Sequence, residues 1–197
     1  MAILQKLKEH FSRDSVTLDL QDIQALILRS RPEPYVGVHA MLHFDEAAGA
    51  RNLLGRLAPH IASADNWSED LDFWIGAALS FEGLKALGVP DAQLKTFPLP
   101  FQQGMAARAE QLRDFGPNAP ENWEDVFKPG NCHLALTIYA VDDDALDKAL
   151  ATARTELDRS SGVTLLGEHR FGAPGRREKP VRFPGFDLPA RSGGQRR

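Results

Sequence analysis

Apolar and polar positions alternate along Tyr35–Phe44. Val36, Val38, Ala40, Leu42 and Phe44 fall on one side and Tyr35, Gly37, His39, Met41 and His43 on the other, the period of two that marks a strand. From Asp45 the spacing becomes helical. Ala50, Leu53, Leu54, Leu57 and Ile61 form one stripe, Asp45 is the expected N-cap, and Pro59 stops the helix near residue 58. A second alternating run covers 71–79, with Leu71, Phe73, Ile75, Ala77 and Leu79 opposite Asp72, Trp74, Gly76 and Ala78. Ser80 caps a short helix over 81–87 that Gly88 and Pro90 end, and Pro100 opens a helix predicted to reach about residue 112. Residues 116–120 read as a loop. A third strand spans 133–141. Asp142, Asp143 and Asp144 then start a helix with the stripe Leu146, Ala149, Leu150, Ala153 and Leu157, their negative charge suiting the positive end of its dipole. Ser161-Gly162 turns into a last strand over 163–171.

The order is β-α-β, a helical insertion, then β-α-β. This is the split βαβ, or ferredoxin-like, α+β arrangement: a four-stranded antiparallel sheet with helices on one face. The two halves repeat in architecture though not in residues. One sheet face is left without main helices, and it should carry Tyr35, His39, Met41, His43, Trp74, His133, Thr137 and Tyr139. Those residues suit neither open water nor a clean core. A cover is expected: the insertion, another domain, or a second copy of the chain.

Composition narrows the class. With 197 residues, 43% hydrophobic and 25% charged, the chain is an ordinary globular length and composition. No apolar run reaches the roughly 18 residues of a membrane span, and the start lacks a signal core, so a cytoplasmic protein is expected. The lone Cys132 excludes a disulfide framework. Residues 172–197 hold seven basic and two acidic side chains, a charge of +5. The total is −4, which leaves −9 on residues 1–171. An acidic body argues against nucleic acid as a partner. The tail, rich in Arg, Gly and Pro, cannot bury enough apolar surface to offset its ordering entropy.

The six histidines raise the question of a metal. His39 and His43 share a face but lie about 13 Å apart along a strand, too far for one ion. His133 can approach one of them across the sheet, which gives a pair and no known ligand spacing. His10, His60 and His169 read as surface or helix-end residues. Cys132 and His133 are neighbours on a strand, so thiol and imidazole point to opposite faces and do not make a nucleophile–base couple. No nucleophile elbow, phosphate loop or dinucleotide fingerprint is present.

Three segments resemble the amino-terminal half of the dye-decolourising (DyP-type) haem peroxidases. Leu18-Asp19-Leu20-Gln21-Asp22-Ile23-Gln24-Ala25 is similar to the family's opening LDLxDIQG stretch, with Ala25 in place of the glycine. Gly83-Leu84-Lys85-Ala86-Leu87-Gly88-Val89-Pro90 resembles its GLxALGVP run. Phe97-Pro98 through Phe101, Gly104-Met105-Ala106 and Arg108-Ala109 resemble FPxxFxxGMAxRA, with Pro120-Glu121-Asn122-Trp123 following in order. The likeness covers 18–171. It implies an N-terminal extension over 1–17, a ferredoxin-like domain over 18–171 and an irregular tail over 172–197.

The resemblance also implies two ferredoxin-like domains in the complete enzyme, haem b in the second, and hydrogen peroxide and bulky phenols or dyes as substrates. The family's distal acid is an aspartate in a Gly-x-x-Asp-Gly motif. Here Gly185-Phe186-Asp187 is a partial match that lacks one intervening residue and the closing glycine, so Asp187 is the candidate for that acid. The chain ends before a proximal histidine or distal arginine. It is therefore expected to be a truncated, inactive piece that binds no haem by itself. A one-nucleotide shift near Arg182 restores Gly-Phe-Arg-Asp, which predicts that the tail is an out-of-frame ending. The alternatives are a non-enzymatic ferredoxin-like module that self-associates through its open face, and a small enzyme using His39, His43 or His133 on that face.

Overall fold

A computed structural model describes residues 18–29, 33–68 and 70–173. Four strands, β1 (Tyr35–Phe44), β2 (Phe73–Leu79), β3 (Leu134–Ala140) and β4 (Val163–Ala173), form one sheet in the order β2-β3-β1-β4. All three pairings are antiparallel, with Val38 opposite Ile138 and Ile75 opposite Ile138 across β3, and β4 slips register between Met41 and Leu42. The order and the two crossovers are those of the ferredoxin-like fold.

The helices that cover the inner face are α1 (Ala47–Leu57) and α3 (Asp143–Asp158). Alternation in the strands meets the helical stripes there. Val38, Leu42, Leu53, Leu134, Leu136, Ile138 and Leu146 are each under 2% exposed and form the centre of the core. Burying a side chain of this size contributes on the order of 2 kcal/mol. Arg56 clasps the two helices from outside: its Nε donates to Glu156 Oε2 at 2.6 Å and its Nη2 to the Glu156 carbonyl at 3.0 Å.

Most predicted elements form with small changes of boundary, and two expectations are corrected. Asp45 does not cap α1. The backbone N–H groups of Asp45 and Glu46 donate to the Gly162 carbonyl at 2.8 and 3.1 Å, and the Asp45 carboxylate accepts from Thr164 Oγ1 at 3.1 Å. The helix therefore begins at Ala47 with Glu46 in the cap position and no side-chain cap bond. The helix predicted over 100–112 is broken into Leu99–Gln103, a 3-10 turn at Ala106–Arg108 and Ala109–Leu112. Gly104 ends the first piece at φ +71°, in the left-handed region that glycine enters without strain. By contrast, Asp142 caps α3 as expected, accepting from Ala145 N–H at 2.8 Å. Ser80 caps α2 (Phe81–Ala86), accepting from Gly83 N–H at 3.0 Å.

The outer sheet face is covered in parts. At the β2 edge, Gln24 acts as a short strand: its Nε2 donates to the Ala77 carbonyl and its Oε1 accepts from Ala77 N–H, both at 2.8 Å. Trp67 stacks on Trp74 with ring centres 5.5 Å apart, and Trp74 Nε1 donates to the Ser68 carbonyl at 3.0 Å. The insertion folds back so that Phe127 lies 5.5 Å from His169, and Glu124 approaches His169 Nε2 at 3.5 Å. The insertion is therefore one of the covers the sequence calls for.

Candidate functional site

Two features of this outer side can carry function: the middle of the sheet face, and a cleft in the insertion. The middle of the face holds Tyr35, His39, Thr137, Tyr139 and Phe171, all half-buried. Gly37 stands opposite both Tyr139 and Phe171. A side chain there would meet Phe171 Cζ at 2.4 Å, so the absence of a Cβ lets the phenyl ring lie down on the backbone. That ring is 4.4 Å from His39 and 5.0 Å from Tyr139, which in turn meets Tyr35 edge-on at 5.5 Å. His39 Nδ1 is hydrogen-bonded to Thr137 Oγ1 at 2.9 Å. Burial, and then the positive charge that His169 can carry, hold the His39 pKa below its ordinary value. This histidine is a neutral member of an aromatic sheet surface.

The cleft has a volume of about 970 Å³. Phe81, Phe101, Met105, Trp123, Phe127 and Cys132 are among the residues that line it. Two of the sequence motifs build it. Phe101 packs edge-on against Phe81 at 5.9 Å, and Gly104-Met105-Ala106 turns the chain along its rim. Burial pushes the Cys132 thiol up from its ordinary pKa, against a smaller opposing backbone bond from Leu42, so it stays protonated and unreactive at neutral pH.

The third histidine pairs with His43 and not with His39. His43 and His133 stack with ring centres 4.2 Å apart. His133 Nδ1 accepts Phe44 N–H at 2.9 Å, and His43 Nδ1 donates to the Asn131 carbonyl at 2.7 Å. His133 is 7% exposed. Burial, then the neighbouring His43, hold its pKa below the ordinary value, outweighing Gly130, Glu82 and Asp45. His60 ends a 3-10 turn after α1, as expected of a helix-end residue, whereas His169 lies on the sheet face. His10 and Asp187 fall outside the described residues.

Among the described residues no three His, Cys, Asp or Glu side chains are grouped to hold a metal ion. The cleft is apolar and large, but no histidine lines it and its thiol is held protonated. The ring nitrogens of His133 and His43 on the side of the chain are committed to backbone partners.

The family model described as the DyP dimeric alpha+beta barrel domain matches residues 50–170, more than half the chain. The chain belongs to the DyP-type peroxidase family. Solved structures agree on the fold. A fungal DyP-type peroxidase from Auricularia auricula-judae superposes with a TM-score of 0.66 at 22% identity, over 82% of this chain and 35% of its own. An ancestral D-type dye-decolorizing peroxidase gives 0.68 at 24% identity, over 81% of this chain and 36% of its own. A further DyP structure gives 0.68 at 19% identity, over 88% and 40%. This member of the DyP family thus spans little more than a third of the length of those proteins. None of the curated proteins matches it. No helix among the described residues is long and apolar enough to cross a membrane.

The family motifs resolve into joints of the backbone. Asp19 accepts Gln21 N–H at 3.1 Å, Gln24 closes the β2 edge, and Ala25 is 1% exposed. Gly83 lies where a Cβ would come 2.1 Å from the His133 carbonyl oxygen. Gly88 turns the chain at φ +78°.

Proposed function

We propose that this chain supplies the N-terminal half of a haem peroxidase and is inactive without the other half. Residues 18–171 form its ferredoxin-like domain, between an N-terminal extension and a tail. The observation that carries this reading is the family match over residues 50–170 in a chain that spans 35–40% of the solved relatives. In the complete cytoplasmic enzyme, hydrogen peroxide is the oxidant and bulky phenols or dyes the electron donors. Haem b supplies the oxidising chemistry there and is held by residues outside this chain. Asp187 is this chain's candidate for the distal acid. The role of the described residues is to present Tyr35, His39, Tyr139 and Phe171 as a sheet surface for a second sheet.

The half-buried rings on that face also favour self-association when no second half is present. The family description, a dimeric alpha+beta barrel, supports the same use of the face.

The test is expression with haem supplied, followed by absorbance spectra and peroxide-dependent bleaching of an anthraquinone dye. The expected result is no Soret band and no turnover. A stable Soret band whose axial nitrogen comes from this polypeptide would overturn the proposal. Size-exclusion chromatography across a dilution series tests the second statement: a dimer that dissociates on dilution is expected, and a monomer at every concentration refutes it.

A further inference from the structure

We propose that the stacked His43–His133 pair is an acid-released latch holding the end of the helical insertion, residues 123–132, to β1. The geometry makes each ring a tie between the two segments. His133 follows directly on the insertion, and its side chain reaches β1 through Phe44 N–H, 2.9 Å from Nδ1. His43 stands on β1 and reaches the insertion through the Asn131 carbonyl, 2.7 Å from its own Nδ1. The main chain adds His133 N–H to the Leu42 carbonyl at 2.9 Å. The rings face each other at 4.2 Å.

Protonation affects the two ties in opposite ways. An acceptor at His133 Nδ1 must carry a lone pair. A proton there sets an N–H against the Phe44 N–H, so the ring has to swing out and the tie is lost. His43 already donates from Nδ1, so a proton on its Nε2 leaves the Asn131 bond in place and faces the Asp45 carboxylate at 3.6 Å. The stacked His43 ring disfavours a charge on His133.

The other charged groups around the pair are few. Glu82 on α2 and Asp45 beyond β1 attract a charge on His133, but burial and His43 outweigh them. Cys132 stays neutral. Within the insertion, Lys128 pairs with Asp125 at 2.6 Å and does not reach the stack. At the other end of the segment, Glu124 lies 3.5 Å from His169 Nε2. Acid thus removes the Phe44–His133 tie, while the Asn131 tie and the main-chain bond to Leu42 stay, so the latch loosens at the His133 ring.

The sign follows from linkage. A histidine kept neutral in the closed state contributes stability that is fully present above its ordinary pKa of about 6.5 and is lost as pH falls below it. With His133 ordinary when open and its pKa depressed when closed, the open population rises by pH 5.5, by at most about elevenfold.

Hydrogen exchange on the full chain, corrected for intrinsic rates, tests this. Protection of Phe44 is expected to fall, by at most about tenfold, between pH 7.5 and 5.5, while the centre of β1 keeps its protection. In His133→Asn, the amide oxygen can take the place of Nδ1 as acceptor but cannot titrate, so protection there should be independent of pH. Equal loss in His133→Asn, or no loss in the wild type, overturns the proposal. Should His133→Asn fail to fold, ring-nitrogen NMR of the wild type decides. Nδ1 must remain unprotonated in the closed state, and a His133 that titrates near 6.5 with Phe44 still protected refutes the latch.

Discussion

Replacing Gly83 by alanine should destabilise the protein, against the ordinary preference of a helix. An ideal Cβ at this position falls 2.1 Å from the His133 carbonyl oxygen, 2.9 Å from its carbon and 3.1 Å from its Cα. The obstacle is backbone, so it cannot rotate away. To reach ordinary contact α2 must retreat by more than an ångström, and that strains two bonds at the joint. Ser80 N–H donates to the same His133 carbonyl at 3.0 Å, and Ser80 Oγ caps the helix through Gly83 N–H at 3.0 Å. Overpacking costs about 1–3 kcal/mol, and a weakened cap and hydrogen bond about 1 kcal/mol each. Alanine's better helix propensity returns about 1 kcal/mol. The net loss is about 3 kcal/mol, or roughly 6–12 °C in Tm for a chain of this size. Gly55 is the matched control. It lies inside α1 with nothing within 4 Å of a Cβ, so Gly55→Ala should stabilise by about 0.5–1 kcal/mol. Urea denaturation followed by circular dichroism reads both. Equal or greater stability in Gly83→Ala, with Gly55→Ala unchanged or worse, would refute the reasoning from backbone approach.

Two further outcomes are expected. Gln24→Ala removes both bonds to Ala77, and Gln24→Glu removes the donor while setting a carboxylate against the Ala77 carbonyl. Each should cost about 1–2 kcal/mol and speed hydrogen exchange at Ala77, and an unchanged Ala77 rate would show that Gln24 does not close the edge. Cys132 should react with iodoacetamide at pH 8 more slowly than in urea, because burial raises its pKa. A thiol as fast in the folded protein as in the unfolded one would contradict that environment.

Much of the architecture is legible in the sequence because its signals are local. The alternation of β1 and β3, the Asp142 cap and the α3 stripe are each set within a few residues. Asp45 misleads because the Gly162 carbonyl, far away in sequence, takes the backbone donors a cap would serve. The insertion misleads because apolar spacing continues through Gly104, whose left-handed backbone ends the helix regardless of its neighbours. The site is less legible. His39 and His43 can be placed on one face from period alone, but only the β1–β3 register decides that His133 stacks on His43. His169 gives no sign that it belongs to the face until β4 is aligned against β1. The purpose of glycines 37 and 83 depends on what approaches them in space.

The missing side chain at Gly37 also governs topography. With Phe171 Cζ and Cε2 filling the place of a side chain at residue 37, the phenyl ring sits lower over the strand than any Cβ there would allow. An opposing layer of strands can then come down to the roughly 10 Å separation at which two sheets interdigitate. A single methyl group at residue 37 would lift the ring like a wedge and hold any such layer off.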